Sequence, residues 1–198
     1  MLDVENFRKA DHEIDPIYLK RWSPRSFKDQ DVSDTILYSL FEAARWAPSA
    51  ANIQPWRFIF AKTSEDKDSF LSFINDGNIA WCQHAPVLIA VASQKKFPKG
   101  DDLNPTHAFD AGTAWGYLAL EAARKGLIAH AMGGFNRAKA KEVLSLPDDF
   151  EVHAIVAVGY HGHIDQLDEK YHEREKPSNR KTIEEFIHEG TFKEENID

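Results

Sequence analysis

The chain has 198 residues, of which 42% are hydrophobic and 28% are charged, and its formal net charge is −8. No basic stripe interrupts this acidic balance, which argues against nucleic-acid binding. The single cysteine, Cys82, excludes a disulfide within the chain, and no apolar run approaches the roughly 20 residues that cross a bilayer. We therefore expect one domain over residues 1–198, in the cytoplasm, with no membrane partner.

The first half of the chain predicts alternating helices and strands. After an N-terminal extension over residues 1–17, Ser33 can cap a helix that runs to about Trp46 and ends before Pro48. A strand is predicted over residues 56–61 and a surface helix over residues 64–74. The continuous apolar run at 86–92 predicts a central strand that is buried on both faces.

The second half begins with a polar loop over residues 95–105, which is either a lid over a substrate or a plain surface connection. A helix rich in alanine and glycine follows over 107–125, apolar nearly all round, as in a core or a subunit interface. Gly126 is expected to end it in the left-handed conformation. A short helix over 137–146 and a strand over 152–160 complete the set, which predicts an α+β or α/β sandwich.

The charged tail over residues 169–198 has little apolar material of its own. We expect one short helix in it, near residues 182–188, and we expect the tail to wrap a partner subunit. A basic island at 176–181 interrupts the acidic stretch and contains Arg180. Taken alone, the island is better explained as a solvated charged face than as part of a binding site.

One segment carries residue types suited to an anion. Arg21, Ser23 and Arg25 alternate, so an extended backbone would project two guanidinium groups and a hydroxyl from the same face. Such a group can bind a phosphate through charge-assisted hydrogen bonds. The alternative is a solvated edge whose arginines form surface ion pairs.

Two further segments are suited to a flat ligand. The stretch 48–56 holds two prolines, two amides and small residues, and would bring rigid backbone and hydrogen-bonding groups close to a ligand. The turn at Gly133 and Gly134 leaves backbone N–H groups open, and Asn136 can cap the helix that follows. The alternatives are a helix-to-strand connection and a plain turn.

In this order and at these separations, the segments resemble the FMN-binding signature of the nitroreductase-like superfamily. The chain carries Arg-x-Ser-x-Arg-x-Phe at 21–27, Pro-Ser-x-x-Asn-x-Gln-Pro-Trp at 48–56, a Gly-Phe turn at 134–135 and Val-Gly-Tyr at 158–160. The resemblance covers roughly residues 18–188. It implies an α+β three-layer sandwich, with a central, mostly antiparallel sheet flanked by helices, in an intertwined homodimer.

The resemblance also implies roles at an FMN site. Arg21, Ser23 and Arg180 would bind the phosphate, and Arg25 would lie near the N1/O2 edge of the isoalloxazine. Ser49, Ala50 and Asn52 would come from the partner subunit. Gly133 and Gly134 would place backbone N–H groups against N5. The implied cofactor-binding set is Arg21, Trp22, Ser23, Arg25, Pro48, Ser49, Ala50, Asn52, Met132, Gly133, Gly134 and Arg180.

Three positions depart from the pattern of the relatives. Trp22 stands where many of them carry a second basic or imidazole residue, and Ala50 where many carry serine. Gly133 replaces an acidic residue that is common in one branch, which argues against giving this chain the substrates of that branch.

The expected activity is reduction of small electron-poor acceptors, such as nitroaromatics or quinones, by NADH or NADPH in ping-pong exchange through N5. No GxGxxG fingerprint follows a strand, so a separate nicotinamide site is not predicted, and no side chain is assigned to proton transfer. The alternatives are specialised flavin chemistry, either dehalogenation or flavin fragmentation, and a flavin-binding module without turnover. We predict no metal site, since the histidine-rich stretch at 161–172 is unevenly spaced.

Overall fold

The computed structural model describes residues 4–193, in which four strands form an antiparallel sheet in the order β1–β2–β4–β3. The strands are β1 (Trp56–Ala61), β2 (Val87–Gln94), β3 (Leu127–Met132) and β4 (Phe150–Tyr160). The helices are α1 (Ile17–Lys20), α2 (Asp34–Arg45), α3 (Ser64–Leu71), α4 (Asp76–Cys82), α5 (His107–Arg124) and α6 (Arg137–Val143). The predicted α+β class is confirmed.

Strand β2 lies between its neighbours and is buried on both faces, as its apolar run predicts. Val87, Ile89 and Val91 point to a core layer shared with α2 and α5. The alternate residues Leu88 and Ala90 point to a second layer, shared with α3, α4 and α6. The sheet is therefore the middle layer of three, which confirms the predicted sandwich.

Helix α2 forms as its sequence predicts. The Ser33 hydroxyl accepts a hydrogen bond from the Ile36 N–H at 3.4 Å, and this bond satisfies one of the free donors of the first turn. The buried side chains Leu37, Leu40 and Ala44 lie on one stripe that packs on α5 and the sheet. The helix ends at Arg45, three residues before Pro48.

Helix α5 crosses the same face of the sheet and has two different sides. Ala114 and Leu118 are fully buried, whereas Phe109 is 77% exposed and Tyr117 is 42% exposed. Gly126 follows with φ +75°, which confirms the predicted left-handed end of the helix.

Three of these elements, α1, β3 and α4, were not predicted. Strand β3 consists of Leu-Ile-Ala-His-Ala-Met, and its alanines give it a weak strand signal. It forms because each of its residues pairs with β4, from Leu127 opposite Tyr160 to Met132 opposite Ile155. Helix α4 has only seven residues and contains Gly77, which is unfavourable in a helix.

Other boundaries shift by a few residues. Helix α3 ends at Leu71, α6 ends at Val143, and β4 begins at Phe150, two residues earlier than predicted. The predicted helix near 182–188 is a 3₁₀ turn over Ile183–Glu185. Residues 1–3 of the predicted extension and 194–198 of the predicted tail lie outside the described residues. None of the described helices is long and apolar enough to cross a bilayer.

Candidate functional site

A cavity of about 390 Å³ opens where the segment after α1 meets the tail. Arg21 ends α1 and turns to extended backbone with φ −70° and ψ 116°, so that the following residues run past the end of the helix. Arg21 donates a hydrogen bond to the Ser23 hydroxyl at 3.3 Å. The cavity is lined by Arg8, Arg21, Trp22, Ser23, Arg25, His130, Glu173, Arg174, Lys176, Pro177, Ser178 and Arg180.

The structure thus brings together five of the sequence-predicted site residues, which are Arg21, Trp22, Ser23, Arg25 and Arg180. Arg21, Ser23 and Arg25 all line this cavity, and so does Trp22, which lies between the first two in the sequence. Arg180 joins them although about 160 residues separate it from the first group. The Trp22 ring stands edge-on to His161, with ring centroids 5.4 Å apart.

Three arginines of this cavity, Arg8, Arg21 and Arg180, lie close together. Burial and the nearby guanidinium of Arg180 lower the pKa of Arg21. Burial, Arg180 and Arg21 lower the pKa of Arg8 in the same way. Among the side chains that the structure describes, which do not include that of Glu5, no carboxylate forms an ion pair with any of these three guanidinium groups. Three cations that repel one another and share a cavity form a site that an anion would stabilise.

Arg8 also lines the cavity, and the sequence analysis did not identify it. It is only 8% exposed, and it donates hydrogen bonds to three carbonyl oxygens, those of Ser178 at 2.8 Å, Leu19 at 2.9 Å and Arg21 at 2.8 Å. It therefore ties the start of the chain, the end of α1 and the tail together. Its position in a polar N-terminal stretch gave no signal, because nothing in the local pattern shows which distant carbonyls it reaches.

Glu175 fixes the backbone beside Arg25. Its carboxylate is 4% exposed and accepts hydrogen bonds from the N–H groups of Arg25, at 2.8 Å, and Ser26, at 3.0 Å. His161 Nε2 lies 3.2 Å from the same carboxylate. Burial raises the pKa of Glu175, but hydrogen bonds from His161, Ser26 and Arg25 outweigh it and hold that pKa below its usual value. The carboxylate is therefore ionised at neutral pH.

The Arg25 guanidinium is held in place by neighbours on both sides. It donates to the Arg174 carbonyl at 3.2 Å and lies 5.9 Å from the centroid of the Trp81 ring. Burial lowers its pKa, and Glu175 acts in the opposite direction. These contacts leave a positioned cation at the wall of the cavity.

His130, on β3, supplies another part of the wall and was also not identified from the sequence. Its Nδ1 lies 2.9 Å from the Pro24 carbonyl oxygen, so Nδ1 carries the hydrogen. Its ring centroid is 4.5 Å from that of Trp81. Burial lowers the pKa of His130 to about 4, and the ring is neutral at pH 7.

The predicted residues of the 48–54 loop do not line the cavity. Ala51, Asn52 and Gln54 all adopt positive φ, at 46°, 55° and 52°. The Ser49 hydroxyl accepts the Gln54 N–H at 3.0 Å, and the Ala50 N–H donates to buried Asp110 at 3.3 Å. Pro48, Ala50 and Asn52 are exposed. Such strain in non-glycine residues costs about 1–3 kcal/mol each and is concentrated at functional sites.

The remaining predicted residues lie at the end of β3, two to four positions beyond His130. The Met132 side chain is buried in the core, so its backbone is the part left for a ligand. Gly133 is exposed, with nothing within 4 Å of an added Cβ. The Gly134 carbonyl accepts hydrogen bonds from the Asn75 N–H and the Asn78 side chain, both at 3.1 Å. The loop after β3 is thereby anchored to α4.

The histidine-rich stretch after β4 does not form a metal cluster. His161 contacts Glu175, His163 lies 2.9 Å from Asp165, and His172 lies 3.1 Å from the Leu167 carbonyl oxygen. Each imidazole therefore has its own protein partner.

Comparison with known proteins identifies the family of this chain. The sequence profile of the nitroreductase family matches residues 18–80 and 72–160. A crystal structure described as an oxidoreductase containing FMN is 39% identical, covers 98% of this chain and 100% of its own, and superposes with a TM-score of 0.92. A nitroreductase family protein from Clostridium difficile 630, 24% identical, shares the fold, with a TM-score of 0.70 over 97% of this chain and 100% of its own.

Curated relatives agree with this result. A protein of Burkholderia lata, provisionally named NADH dehydrogenase/NAD(P)H nitroreductase, is 28% identical over 169 residues, or 76% of this chain and 87% of the relative. The fold and the site define an oxidoreductase of α+β sandwich architecture. The chain belongs to the nitroreductase family.

Proposed function

We propose that the chain is an FMN-dependent NAD(P)H oxidoreductase that reduces small electron-poor acceptors such as nitroaromatics or quinones. The observation that carries this proposal is the group of three guanidiniums, from Arg8, Arg21 and Arg180, without a carboxylate partner in the described chain. A phosphate monoester carries a charge of about −1.5 to −2 at pH 7 and accepts several hydrogen bonds, so it matches this site. The cavity volume of about 390 Å³ falls within the range of small-molecule sites.

The residues around the cavity divide into two roles. Arg21, Ser23 and Arg180 hold the phosphate, and Arg8 fixes the backbone between them. Arg25 faces the ring system, where a positioned cation favours uptake of electrons. FMN, when bound, supplies N5 as the atom that accepts and donates hydride.

The backbone at the end of β3 forms the other edge of the proposed site. Met132, Gly133 and Gly134 bring main-chain groups towards the ring system, and the anchoring of Gly134 to α4 keeps them in place. Trp22 lines the cavity on the side of the segment that carries Arg21, Ser23 and Arg25. These residues position the cofactor and exclude water from it. None of them is assigned to proton transfer.

NADH or NADPH and the acceptor occupy the same face in turn, in a ping-pong sequence. The names of the curated relatives support a nicotinamide donor. The absence of a GxGxxG fingerprint from the sequence supports a single shared site rather than a second nucleotide site.

The proposal includes a homodimer. Helix α5 exposes Phe109 and Tyr117 on one side, and at Gly112 and Gly116, on that same side, an added Cβ would meet nothing within 4 Å. A second backbone can approach such a face closely. The strained 48–54 loop is anchored to α5 through Asp110 and would reach the partner subunit's cavity with Pro48, Ser49, Ala50 and Asn52.

The test of the activity is a visible absorption spectrum of the purified protein, repeated without oxygen after NADPH and then NADH are added. We expect a flavin spectrum that bleaches when the nucleotide is added. We also expect the nucleotide to be oxidised continuously when a quinone or nitroaromatic is present. Bleaching without turnover would favour a flavin-binding module, and bound FMN inert to both nucleotides would overturn the proposal.

A variant pair tests the phosphate site itself. Arg21→Ala is expected to weaken FMN binding at least tenfold. Arg124→Ala, in an exposed surface pair with Glu121, is the matched control and is expected to leave FMN binding unchanged. Equal affinity in the two variants would show that the phosphate is bound elsewhere.

Light scattering on a sizing column tests the assembly. A mass of two chains is expected for the wild-type protein, and Gly116→Trp is expected to shift the mass towards one chain. A wild-type mass of one chain, near 22.5 kDa, would contradict the dimer. The cytoplasmic location stays a prediction.

A further inference from the structure

A second group of polar side chains lies where α5 begins, apart from the residues that line the anion cavity. His107 is the first residue of α5, and Glu151 and His153 alternate on β4, so they share one face of the sheet. Each offers one ligand atom, and these atoms all lie within 4.8 Å of one another. Within residues 4–193, no other three side chains from histidine, cysteine, aspartate and glutamate come this close.

A buried serine lies within hydrogen-bond distance of both His107 and His153. Ser93 is fully buried on β2, opposite Glu151 in the antiparallel ladder. Its hydroxyl oxygen lies 2.8 Å from His107 Nδ1 and 2.6 Å from His153 Nε2. A hydroxyl has two lone pairs, so it can accept an N–H from each ring at once. In that arrangement the opposite nitrogen of each ring carries a free lone pair.

We propose that His107, Glu151 and His153 form a binding site for one zinc ion, with Ser93 orienting both imidazoles. Two imidazoles and a carboxylate are a known zinc donor set, and they leave a fourth position open to water. Histidines that bind metals almost always donate their other ring N–H to a neighbouring acceptor, which is the arrangement that Ser93 provides. A bound ion would link the start of α5 to β4.

Rotation of the Glu151 side chain can bring its carboxylate closer to His107. In a tetrahedral site with bonds of about 2.0–2.1 Å, ligand atoms lie about 3.3 Å apart. His107 Nε2 and Glu151 Oε2 are 3.9 Å apart, and the Glu151 side chain is 48% exposed and free to rotate. The His107 side chain is 17% exposed, so the site is accessible from solvent on the side of Glu151.

The charges around the site act in both directions. Glu151 and Arg137 both lie close enough to His153 to act on its ring electrostatically. The carboxylate of Glu151 attracts a dication. Arg137, at the start of α6, repels one. The sequence gave no sign of this site because more than 40 residues separate His107 from the other two ligands.

The test is titration of zinc chloride into chelator-treated, tag-free holoenzyme, followed by calorimetry. We expect one zinc ion per chain. Glu151→Gln and His153→Ala are each expected to weaken binding at least tenfold, and Ser93→Ala about tenfold. Arg137→Gln is expected to tighten binding, because it removes the repelling charge. His163→Ala, which removes an exposed histidine paired with Asp165, is the control and is expected to leave the affinity unchanged.

Two results would overturn the site. One is wild-type protein that takes up no zinc, and the other is zinc affinity that falls in His163→Ala but not in Glu151→Gln. Glu151 is half exposed, so its variant keeps the test open if His153→Ala does not fold. The heat of zinc binding is measured without turnover, so failure of this site and failure of the proposed reductase activity are distinguishable.

Discussion

The carboxylate of Glu175 accepts hydrogen bonds from the backbone N–H of Arg25, at 3.0 and 2.8 Å, across 150 residues of sequence. This contact joins the tail to the segment that carries Arg21, Ser23 and Arg25. The shape of the cavity around Arg21 therefore depends on a buried charge that does not itself line the cavity.

Glu175→Gln tests this coupling. The amide keeps the shape of the side chain but loses the charge, and a hydrogen bond to a charged group contributes about 1.5–3 kcal/mol. We expect the free energy of unfolding to fall by about 2 kcal/mol and FMN binding to weaken several-fold, as measured by denaturant titration and flavin fluorescence. Glu142→Gln, on the exposed side of α6, should change neither quantity.

Arg8→Ala tests the tie between the N-terminal segment and the tail. In this variant three carbonyl oxygens lose their donor. We therefore expect the free energy of unfolding to fall by about 2–3 kcal/mol. We also expect FMN binding to weaken at least tenfold. Arg8→Lys should recover little, since an ammonium group does not reproduce the forked geometry. If Arg8→Ala binds FMN with wild-type affinity, Arg8 does not contribute to the site.

The lowered pKa of His130 predicts how stability depends on pH. Between pH 6.5 and about 4, the unfolded chain binds a proton at His130 that the folded chain does not. Stability therefore rises with pH across this window and is lost as pH falls. The contribution amounts to about 3 kcal/mol at most. Denaturant titrations at pH 4.5 and 7 should show a smaller difference for His130→Gln than for wild type.

The control for this measurement is His84→Gln, which removes an exposed histidine. It is expected to leave the difference between the two pH values as in wild type. An equal change in both variants would assign the pH dependence to groups other than His130.

Cys82 is predicted to be unreactive in the folded protein. Its side chain is fully buried, and burial raises the pKa of its thiol to about 12. Because the thiolate is the reactive form, Ellman's reagent should modify less than a tenth of the native chains at pH 8 and one thiol per chain in guanidinium chloride. Rapid labelling of the native protein would show that α4 opens locally.

Much of the fold could be predicted from local pattern. The cap at Ser33, the fully buried strand β2 and the left-handed Gly126 are each fixed by neighbouring residues, and all three are confirmed. Strand β3 was missed because its alanines carry no strand signal and its pairing partner, β4, lies about 20 residues later.

The candidate site, like the fold, could be predicted where it depends on neighbouring residues and was missed where it depends on distant ones. The prediction that Arg21, Ser23 and Arg25 lie near one another came from their alternation, and all three line one cavity; Trp22 lines it as well, which alternation alone does not explain. Arg8 and His130 were missed because their places depend on contacts between distant segments. The assignment of the 48–54 loop to a partner's site stays a prediction.

The proposed phosphate site combines Arg8, near the beginning of the chain, with Arg180, near its end. A chain emerging from the ribosome can form its sheet once β4 has been made, yet the proposed site would be incomplete until the tail has folded back. Loading of the cofactor would then be a late event in biogenesis, and a proteolytic cut in the tail after β4 would release the ligand before it disrupted the sheet.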